Sequence, residues 1–242
     1  MAEPVRAQKA IANSGLMSRR SAEEAIAAGR VAVDGQTIGL GDRVDVTGQL
    51  VTIDGVPIPL NPELETHLVY KPVGVISSAS DPQGRPVVTD LVPSERRLYP
   101  VGRLDADSEG LILLTNDGEL ANRVTHPRYG ITKKYVAVIT GNPTTVDIRR
   151  LTKGVDLDDG PARALSARIL SRGQDETMVE MVMGEGRNRE IRRMFEAVGH
   201  QVARLVRTAI GPLSDQTLRP GASRRLSIAE INDLLGSGKP RS

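Results

Sequence analysis

Cysteine is absent from the 242 residues, so the chain has neither disulfides nor thiolate metal ligands. That absence fits a reducing compartment, and we expect a cytoplasmic protein. The longest apolar runs span only a few residues, too few for a membrane-spanning helix. The opening stretch, MAEPVRAQKA, contains no apolar signal core, so we do not expect secretion.

Aromatic residues are also scarce, at 2% of the chain, whereas proteins that stack successive single-stranded bases need several of them. Any base contact must therefore be local. The three histidines lie far apart and match no metal-ligand spacing. The chain has no Gly-x-x-x-x-Gly-Lys-Ser/Thr phosphate loop and no nucleophilic serine elbow, which argues against nucleotide hydrolases and serine esterases.

Positive charge is concentrated in one segment, although the net charge of the whole chain is only +2. Residues 187–207, called the basic strip below, contain six arginines and two glutamates, so the remainder of the chain is slightly acidic. A strip of this kind suggests a polyanionic partner such as nucleic acid. The alternative is a solvated arginine-rich helix face, and charge alone does not decide between the two.

The first sixty residues predict a small module of two helices followed by hairpins. A helical pattern stops at Gly15, and Ser21 with Glu24 predicts a capping box for a second helix that ends near Gly29. The stretches RVAVDGQTI and VTIDGVPI each read as a strand followed by Asp-Gly, which indicates a hairpin turn.

This layout, with GLMSRRSAEEAIAAGRVAVDGQ at its centre, resembles the small RNA-binding module shared with one of the small-subunit ribosomal proteins. The resemblance covers roughly residues 5–55. It implies RNA contacts from four cations on or before the helices: Arg6, Lys9, Arg19 and Arg20. The alternative is that these residues only solvate a helix pair, and residues 1–60 contain six basic and seven acidic side chains, which leaves that open.

A proline-containing linker at residues 61–65 is predicted to join this module, residues 1–60, to a larger domain at residues 66–242. In the larger domain, strand patterns such as LILLT and KYVAVIT recur with helical patterns between them, in no strict alternation. We therefore expect an α+β fold with a mixed, mostly antiparallel sheet flanked by helices.

The stretch GRLDADSEG, residues 102–110, places one arginine beside three carboxylates in a tight turn. A carboxylate can act as a nucleophile or proton acceptor without a cofactor, provided that a nearby cation keeps it ionised. Two alternatives remain open on the residues alone. The stretch is a polar turn between strands, or Asp105, Asp107 and Glu109 hold Mg²⁺.

The helix predicted within the basic strip has a clear buried face. Apolar residues follow i, i+3, i+4, i+7 spacing: Ile191, Met194, Phe195 and Val198. Arg192 lies one position off this stripe, so its stem should be buried while its guanidinium meets a carboxylate in a cleft. Arg189 and Arg193 should point toward solvent or ligand.

Four stretches in order resemble the motifs of the pseudouridine synthases, in the branch that acts on ribosomal RNA (the RsuA/RluB type). They are KPVGVISS from Lys71, GRLDADSEGLILLTNDGELANRVTHP from Gly102, KKYVAVI from Lys133 and EGRNREIRRMFEAVGH from Glu185. The small RNA-binding module is also one that this branch carries. Together the motifs span most of residues 66–214.

The resemblance implies roles for individual residues. The catalytic aspartate falls on Asp105, the active-site tyrosine on Tyr135 and the arginine that pairs with the aspartate on Arg192. Arg103 matches the loop arginine that helps to displace the target base. Further RNA contacts are expected from Lys71, Arg187, Arg189 and Arg193. The chain departs from the pattern at Tyr70, where asparagine is common, and at Glu190, where glutamine is commoner.

The implied reaction isomerises uridine to pseudouridine in ribosomal RNA, and it needs neither a cofactor nor a metal. The C-terminal motif followed by VARLVRTAIGPL favours the large-subunit (23S) RNA. Whether Asp105 attacks C1′ or removes the C2′ proton stays open. We expect ribosomal RNA as the partner, a monomer and no membrane association. The alternatives are a non-catalytic RNA-binding or ribosome-assembly factor and a Mg²⁺-dependent phosphotransferase or nuclease.

Overall fold

The computed structural model describes residues 3–58, 60 and 63–238. The chain divides into two compact units: the smaller runs to Glu65 and also contains Ser94–Tyr99 and Thr115–Gly118, and the larger contains the rest. Of the linker expected at 61–65, residues 61 and 62 lie outside the described residues, as do 239–242 of the expected larger domain. The boundaries at 60 and 66 stay a prediction.

The smaller unit contains two short helices and small β-hairpins. Its elements are β1 (Val5–Arg6), α1 (Ala7–Asn13), α2 (Arg19–Ala27), β2 (Val31–Val33), β3 (Gln36–Thr37), β4 (Arg43–Val44), β5 (Val51–Ile53) and β6 (Val56–Pro57). Strands β2, β3, β5 and β6 form a sheet in the order β3-β2-β5-β6, and β1 pairs with β4. The apolar sides of helices and strands share one core around Ile11, Ile26 and Val31.

Local sequence signals account for the turns of this unit. Asp34 and Asp54 have positive φ angles of 50° and 51°, and each precedes a glycine with positive φ, as a two-residue hairpin turn requires. Both Asp-Gly hairpins are therefore confirmed. The capping box expected at Ser21 is wrong, because α2 begins earlier: Ser18 is the N-cap, and its side chain accepts from the Ser21 amide.

The elements that follow in the chain are β7 (Thr66–Lys71), β8 (Tyr99–Val101), β9 (Glu109–Thr115), α3 (Gly118–Thr125), β10 (Lys133–Thr140), α4 (Thr145–Lys153), β11 (Val155–Leu157), β12 (Gly160–Ala162), β13 (Ser166–Arg172), β14 (Glu176–Met183), α5 (Glu190–Ala197), β15 (Val202–Ile210), β16 (Ser223–Arg225) and α6 (Ile228–Gly236). Among the described residues of both units, no helix is long and apolar enough to cross a membrane.

An eight-stranded sheet runs in the order β13-β14-β10-β15-β9-β7-β16, with β8 paired to β9. Strand β15 pairs in parallel with β9 and antiparallel with β10, while β10–β14, β13–β14 and β7–β16 are antiparallel. The expected α+β fold with a mixed, mostly antiparallel sheet is thus confirmed. Strand β9 is buried along its whole length, which explains its continuous apolar run.

Gly110 allows β9 to approach β15 very closely at the end of the sheet that carries the aspartate motif. Its φ is +109°, and a Cβ atom added there would lie 2.3 Å from the Arg207 carbonyl oxygen. Only glycine fits both this conformation and this backbone contact. Gly110 therefore fixes where the preceding turn meets strand β15.

Candidate active site

A cleft of about 270 Å³ lies in the larger unit. It is lined by the turn at residues 102–108, called the aspartate loop below, by strands of the sheet and by the start of the basic strip. The lining residues are Gly102, Arg103, Leu104, Asp105, Ser108, Tyr135, Met183, Glu185, Gly186, Arg187, Asn188, Arg189, Glu190, Ile191 and Leu205. Five residues predicted from the sequence thus meet here: Arg103, Asp105, Tyr135, Arg187 and Arg189.

Asp105 is held in place through the backbone of its loop. The Ser77 hydroxyl donates to the Leu104 carbonyl at 2.8 Å and accepts from the Leu104 amide at 3.0 Å. The Gly74 amide donates to the Ala106 carbonyl at 2.8 Å, and the Ser108 amide closes a turn onto the Asp105 carbonyl. The KPVGVISS stretch therefore serves as the scaffold of the aspartate loop.

Lys71, expected to contact RNA, is fully buried, and this expectation is wrong. Its Nζ donates to the carbonyl oxygens of Pro72 at 3.0 Å and Val75 at 2.6 Å, and a phosphate cannot reach it. Burial lowers the pKa of the ammonium group to about 8, although the charges of Asp105, Asp107 and Glu109 oppose that shift. Lys71 contributes positive charge beneath the aspartate loop and not at its surface.

Arg192 is buried, as its position beside the apolar stripe of α5 predicted, with 6% of its surface exposed. Its predicted ion pair with Asp105 is not made. The guanidinium reaches two residues further along the loop: Nη2 donates to the Asp107 carbonyl at 3.0 Å, and Nε lies 3.4 Å from Asp107 Oδ2. Nη1 donates to the Val202 carbonyl at 2.8 Å, so the arginine joins the loop to β15.

Asp107 is the residue of the loop that carries the ion pairs. Burial disfavours its ionised form, but the hydrogen bond from Arg189 at 2.9 Å and the charge of Arg192 outweigh that effect and lower its pKa. Arg189 itself adopts a left-handed conformation, with φ of 47°, at the N-cap of α5. Asp107 therefore ties the aspartate loop to the basic strip, while Asp105 has no ion pair among the described residues.

Arg207 is a second buried arginine at the loop. From the sequence it was identified only as one of the six arginines of the basic strip. Its Nε donates to the Leu111 carbonyl at 2.6 Å, and Nη1 lies 3.4 Å from the Arg103 carbonyl. It thereby holds the backbone near the start of the aspartate loop, at Arg103, and just beyond its end, at Leu111. Gly110 is a sequence signal that could have indicated this arrangement, since it permits the contact with the Arg207 backbone.

Tyr135 lies on the buried face of β10, opposite Met181 and Arg207 in register, with 8% of its surface exposed. The alternating pattern of β10 places its ring at the cleft together with the apolar side chains of Met183 and Leu205. The cleft thus combines apolar side chains with the carboxylate of Asp105, as small-molecule sites commonly do.

The two departures from the family pattern occupy structural positions. Glu190 is buried, and burial raises its pKa, while its carboxylate accepts from the Arg187 amide at 3.0 Å. The Tyr70 hydroxyl donates to Glu109 at 3.1 Å, and Arg204 Nε donates to the other oxygen of that carboxylate at 2.5 Å. The side chains at both departures thus have hydrogen-bond partners within the fold.

The three carboxylates considered for Mg²⁺ do not converge. Asp105 faces the cleft, Asp107 pairs with two arginines, and Glu109 pairs with Arg204. Across residues 3–58, 60 and 63–238, no group of three or more histidine or acidic side chains could hold a metal ion. The alternation of acids along the sequence does not produce a ligand set here.

The four cations expected to bind RNA in the smaller unit lie at its surface. Arg6, Arg19 and Arg20 are exposed, and Lys9 is half-buried. None of them forms an ion pair within the part of the chain that the structure describes. Neighbouring arginines do: Arg30 pairs with Asp54, and Arg43 lies 3.9 Å from Glu3.

Comparison with known proteins adds two family matches. The family model described as RNA pseudouridylate synthase matches residues 65–197, and the S4 domain model matches residues 5–51. The first match covers the aspartate loop, Tyr135 and Arg192, and the second covers the helix pair with its exposed cations.

Full-length relatives show the same relationship. A protein of Bacillus subtilis (strain 168) named ribosomal large subunit pseudouridine synthase B is 42% identical over 233 residues, covering 95% of each chain. An uncharacterized RNA pseudouridine synthase of Mycobacterium tuberculosis (strain H37Rv) is 42% identical over 247 residues, covering 97% of each. A crystal structure titled pseudouridylate synthase matches with a TM-score of 0.67 and 27% identity, over 95% of this chain and 99% of that one.

Proposed function

The chain belongs to the RNA pseudouridine synthases, which are isomerases, and we propose that it converts a uridine of large-subunit ribosomal RNA to pseudouridine with Asp105 as the catalytic carboxylate. One observation carries the assignment of Asp105. Of the three acids that line the cleft, Glu185 and Glu190 both pair with Arg187, whereas Asp105 has no ion pair among the described residues. Its carboxylate is therefore available to a substrate.

The proposed reaction rearranges one nucleotide without adding or removing atoms. The N1–C1′ bond breaks, the uracil turns, C5 bonds to C1′, and the proton on C5 is lost while N1 gains one. Asp105 assists either by attacking an oxocarbenium-like C1′, as the carboxylate of a retaining glycosidase does, or by removing the C2′ proton. Both routes need an ionised carboxylate, and neither requires a cofactor.

The target uridine must leave its helix, because a stacked base hides C1′ and cannot rotate. The cleft of about 270 Å³ is near the lower end of the range for small-molecule pockets, which fits a single flipped nucleoside. Tyr135 would pack on the uracil and assist removal of the C5 proton through its hydroxyl. Arg103 is exposed beside Asp105 and would fill the space that the base vacates or bind a phosphate.

Arg192 would act on Asp105 through the loop backbone. It holds the carbonyl and carboxylate of Asp107, two residues from Asp105, and anchors them to the Val202 carbonyl. Because a displacement of about 1 Å between reacting groups can cost about a hundredfold in rate, a fixed loop contributes to catalysis alongside the carboxylate. Arg189, held by Asp107, would present its remaining donors to the RNA backbone.

RNA recruitment is assigned to the S4 module, with Arg6, Lys9, Arg19 and Arg20 as its phosphate contacts. We retain the division into residues 1–60 and 66–242, with a linker at 61–65, as part of the proposal. The substrate places the reaction in ribosome biogenesis, and we expect a cytoplasmic monomer.

The test is to incubate the purified protein with transcripts of large- and small-subunit ribosomal RNA and to detect pseudouridine with a specific chemical probe. Product in the large-subunit RNA, formed equally in EDTA, is the expected result. Asp105→Asn should lower the single-turnover rate by more than about a thousandfold, because the amide is neither nucleophilic nor basic. RNA affinity should stay within twofold of the wild type, as it should for the exposed control Asp156→Asn.

Each alternative predicts a different result. A non-catalytic RNA-binding factor gives tight binding and no product, and a Mg²⁺-dependent phosphotransferase or nuclease loses all activity in EDTA. Product confined to the small-subunit RNA would contradict the proposed substrate. A wild-type rate in Asp105→Asn would contradict the catalytic assignment.

A further inference from the structure

The hairpin formed by β11 and β12 contacts the basic strip through an acidic tip. Arg187, which lines the cleft, donates from Nη1 to the carbonyls of Asp159 and Gly160, both at 3.2 Å, and from Nη2 to the Pro161 carbonyl at 2.7 Å. Its Nη1 also lies 3.0 Å from the Asp159 carboxylate. The guanidinium is thereby turned toward the hairpin.

Arg193 meets the same carboxylate with two parallel hydrogen bonds. Nη1 and Nη2 donate to Asp159 Oδ1 and Oδ2 at 2.9 and 3.0 Å, the geometry in which arginine binds carboxylates and phosphates most strongly. The hydrogen bond from Arg193 lowers the pKa of Asp159, so this carboxylate stays charged at neutral pH. Asp159 thus occupies the donors of two arginines that the sequence assigned to RNA.

These contacts lie at the surface, and their contribution to folding should be small. The Asp159 side chain is 45% exposed, and those of Arg187 and Arg193 are 24% and 25% exposed, so the carboxylate end of each pair is open to water, which weakens ion pairs. A phosphate of an RNA chain would compete for the same bidentate donors. The arrangement is therefore better suited to controlling where the basic strip binds phosphate than to holding the unit together.

We propose that Asp159 is a positioning residue that holds Arg187 and Arg193 away from RNA phosphates and so gives the enzyme selectivity for its target RNA. The carboxylate of the hairpin competes with RNA phosphates for arginines of the strip. An unrelated RNA binds almost entirely through its phosphates. Because Asp159 occupies Arg193, such an RNA gains no phosphate contact from that arginine. Selectivity thus depends on the Asp159 carboxylate, which repels phosphates and occupies arginine donors, as well as on the groups that attract RNA. This inference rests on the proposed function for its target RNA, but the masking of the arginines can be measured by binding alone.

The experiment compares full-length Asp159→Asn with Asp156→Asn, which removes the same charge from the same hairpin at an exposed residue without an ion pair in the described part of the chain. Asp158 is less suited as a control, because its charge still acts on Arg193. Dissociation constants are measured between 50 and 200 mM salt for the large-subunit target RNA and for an unrelated structured RNA. Inhibition of the single-turnover reaction by the unrelated RNA is measured in parallel.

We expect Asp159→Asn to bind the unrelated RNA several-fold more tightly than Asp156→Asn does. Its plot of log affinity against log salt should be steeper by roughly 0.7–0.9 for each arginine that gains a phosphate. The unrelated RNA should then inhibit it more strongly. Asp159→Glu should restore the wild-type salt dependence, and Arg193→Met added to Asp159→Asn should remove the gain in affinity, since the unmasked donor is gone.

Equal affinity and equal salt dependence in Asp159→Asn and Asp156→Asn would overturn the inference. So would loss of a cooperative melting transition in Asp159→Asn, since a surface mask should not be required for folding. If the wild-type protein forms no pseudouridine in either ribosomal RNA, the proposed function fails instead. The binding comparison still decides whether Asp159 masks the arginines in that case.

Discussion

The basic strip and the smaller unit contain similar numbers of cations but use them differently. The arginines of the strip are largely committed to internal partners: Arg187 and Arg193 to Asp159, Arg189 and Arg192 to Asp107, Arg204 to Glu109, and Arg207 to backbone carbonyls. In the smaller unit, Arg6, Lys9, Arg19 and Arg20 make no ion pair among the described residues. The region with the greater positive charge therefore offers fewer free cations.

The acids of the smaller unit explain why its balanced charge conceals exposed cations. Asp42 and Asp45 accept from the amides of Gly39 and Thr47 and so stabilise turns, and Asp34 accepts from the Leu50 amide next to β5. Asp54 pairs with Arg30. Net charge counts all of these acids against the cations, although they lie elsewhere in the module. The availability of a cation depends on its local partners and not on the charge of its segment.

The largest effect that tests this comparison should come from Arg192→Met. Removing the guanidinium frees the Asp107 carbonyl and carboxylate and releases the aspartate loop from β15. We expect the single-turnover rate at saturating enzyme to fall by about a hundredfold, the scale on which a 1 Å displacement of reacting groups acts. RNA affinity should change little, because the side chain is buried.

Arg193→Met is the matched control for Arg192→Met, since the two residues are neighbours on α5 but point about 100° apart. Its rate at saturating enzyme should stay within a few-fold of the wild type, because the one ion pair that Arg193 makes among the described residues is with Asp159, outside the aspartate loop. Melting curves of both variants show whether each is folded. Equal impairment of two folded variants would mean that Arg192 has no special role at the loop.

Much of the fold and part of the site could be predicted from local patterns. The Asp-Gly hairpins, the strands of the large sheet and the buried side of α5 follow from periodicity and turn chemistry, because neighbouring residues decide them. The motif that contains Asp105 and the strand of Tyr135 could be placed at one cleft through the family resemblance.

The capping box at Ser21 failed by a shift of three residues at a helix start, and the errors in the site concern where a long side chain ends. Arg192 was correctly placed at the edge of the core, but its guanidinium reaches Asp107 and not Asp105. Lys71 is the last residue of the buried strand β7 and its side chain turns inward, whereas the family motif implied an RNA contact. The pairing of Arg193 with Asp159, 34 residues away, depends on tertiary packing that no periodicity encodes.

A smaller effect should distinguish the free cations of the smaller unit from its paired ones. Replacing both Arg19 and Arg20 by alanine should lower the slope of log affinity against log salt by roughly 1.5, since each phosphate contact contributes about 0.7–0.9. The paired residues Arg30 and Arg43, replaced together by alanine, serve as the control and should change the slope much less. Binding to the ribosomal RNA target is followed by salt titration. Slopes lowered equally by the two double variants would show that ion pairing does not determine availability.

The smallest effect concerns Arg204, whose side chain is exposed yet tied to the buried Glu109. The hydrogen bond from Arg204 is the main cause that lowers the pKa of Glu109 below its ordinary value of 4.5. A carboxylate with a lowered pKa stabilises the fold above its ordinary pKa, and that contribution is lost as the pH falls through its value in the folded protein.

Glu109→Gln keeps the shape and an acceptor for Tyr70 but removes the charge. Its free energy of unfolding should be about 1 kcal/mol lower than that of the wild type at pH 7, with the difference shrinking toward pH 3. The exposed Glu176→Gln, tested by the same denaturant titrations, should show no such dependence. A difference that stays constant from pH 7 to pH 3 would mean that Arg204 is not held by the charge of Glu109, and this arginine of the basic strip would then be available to RNA.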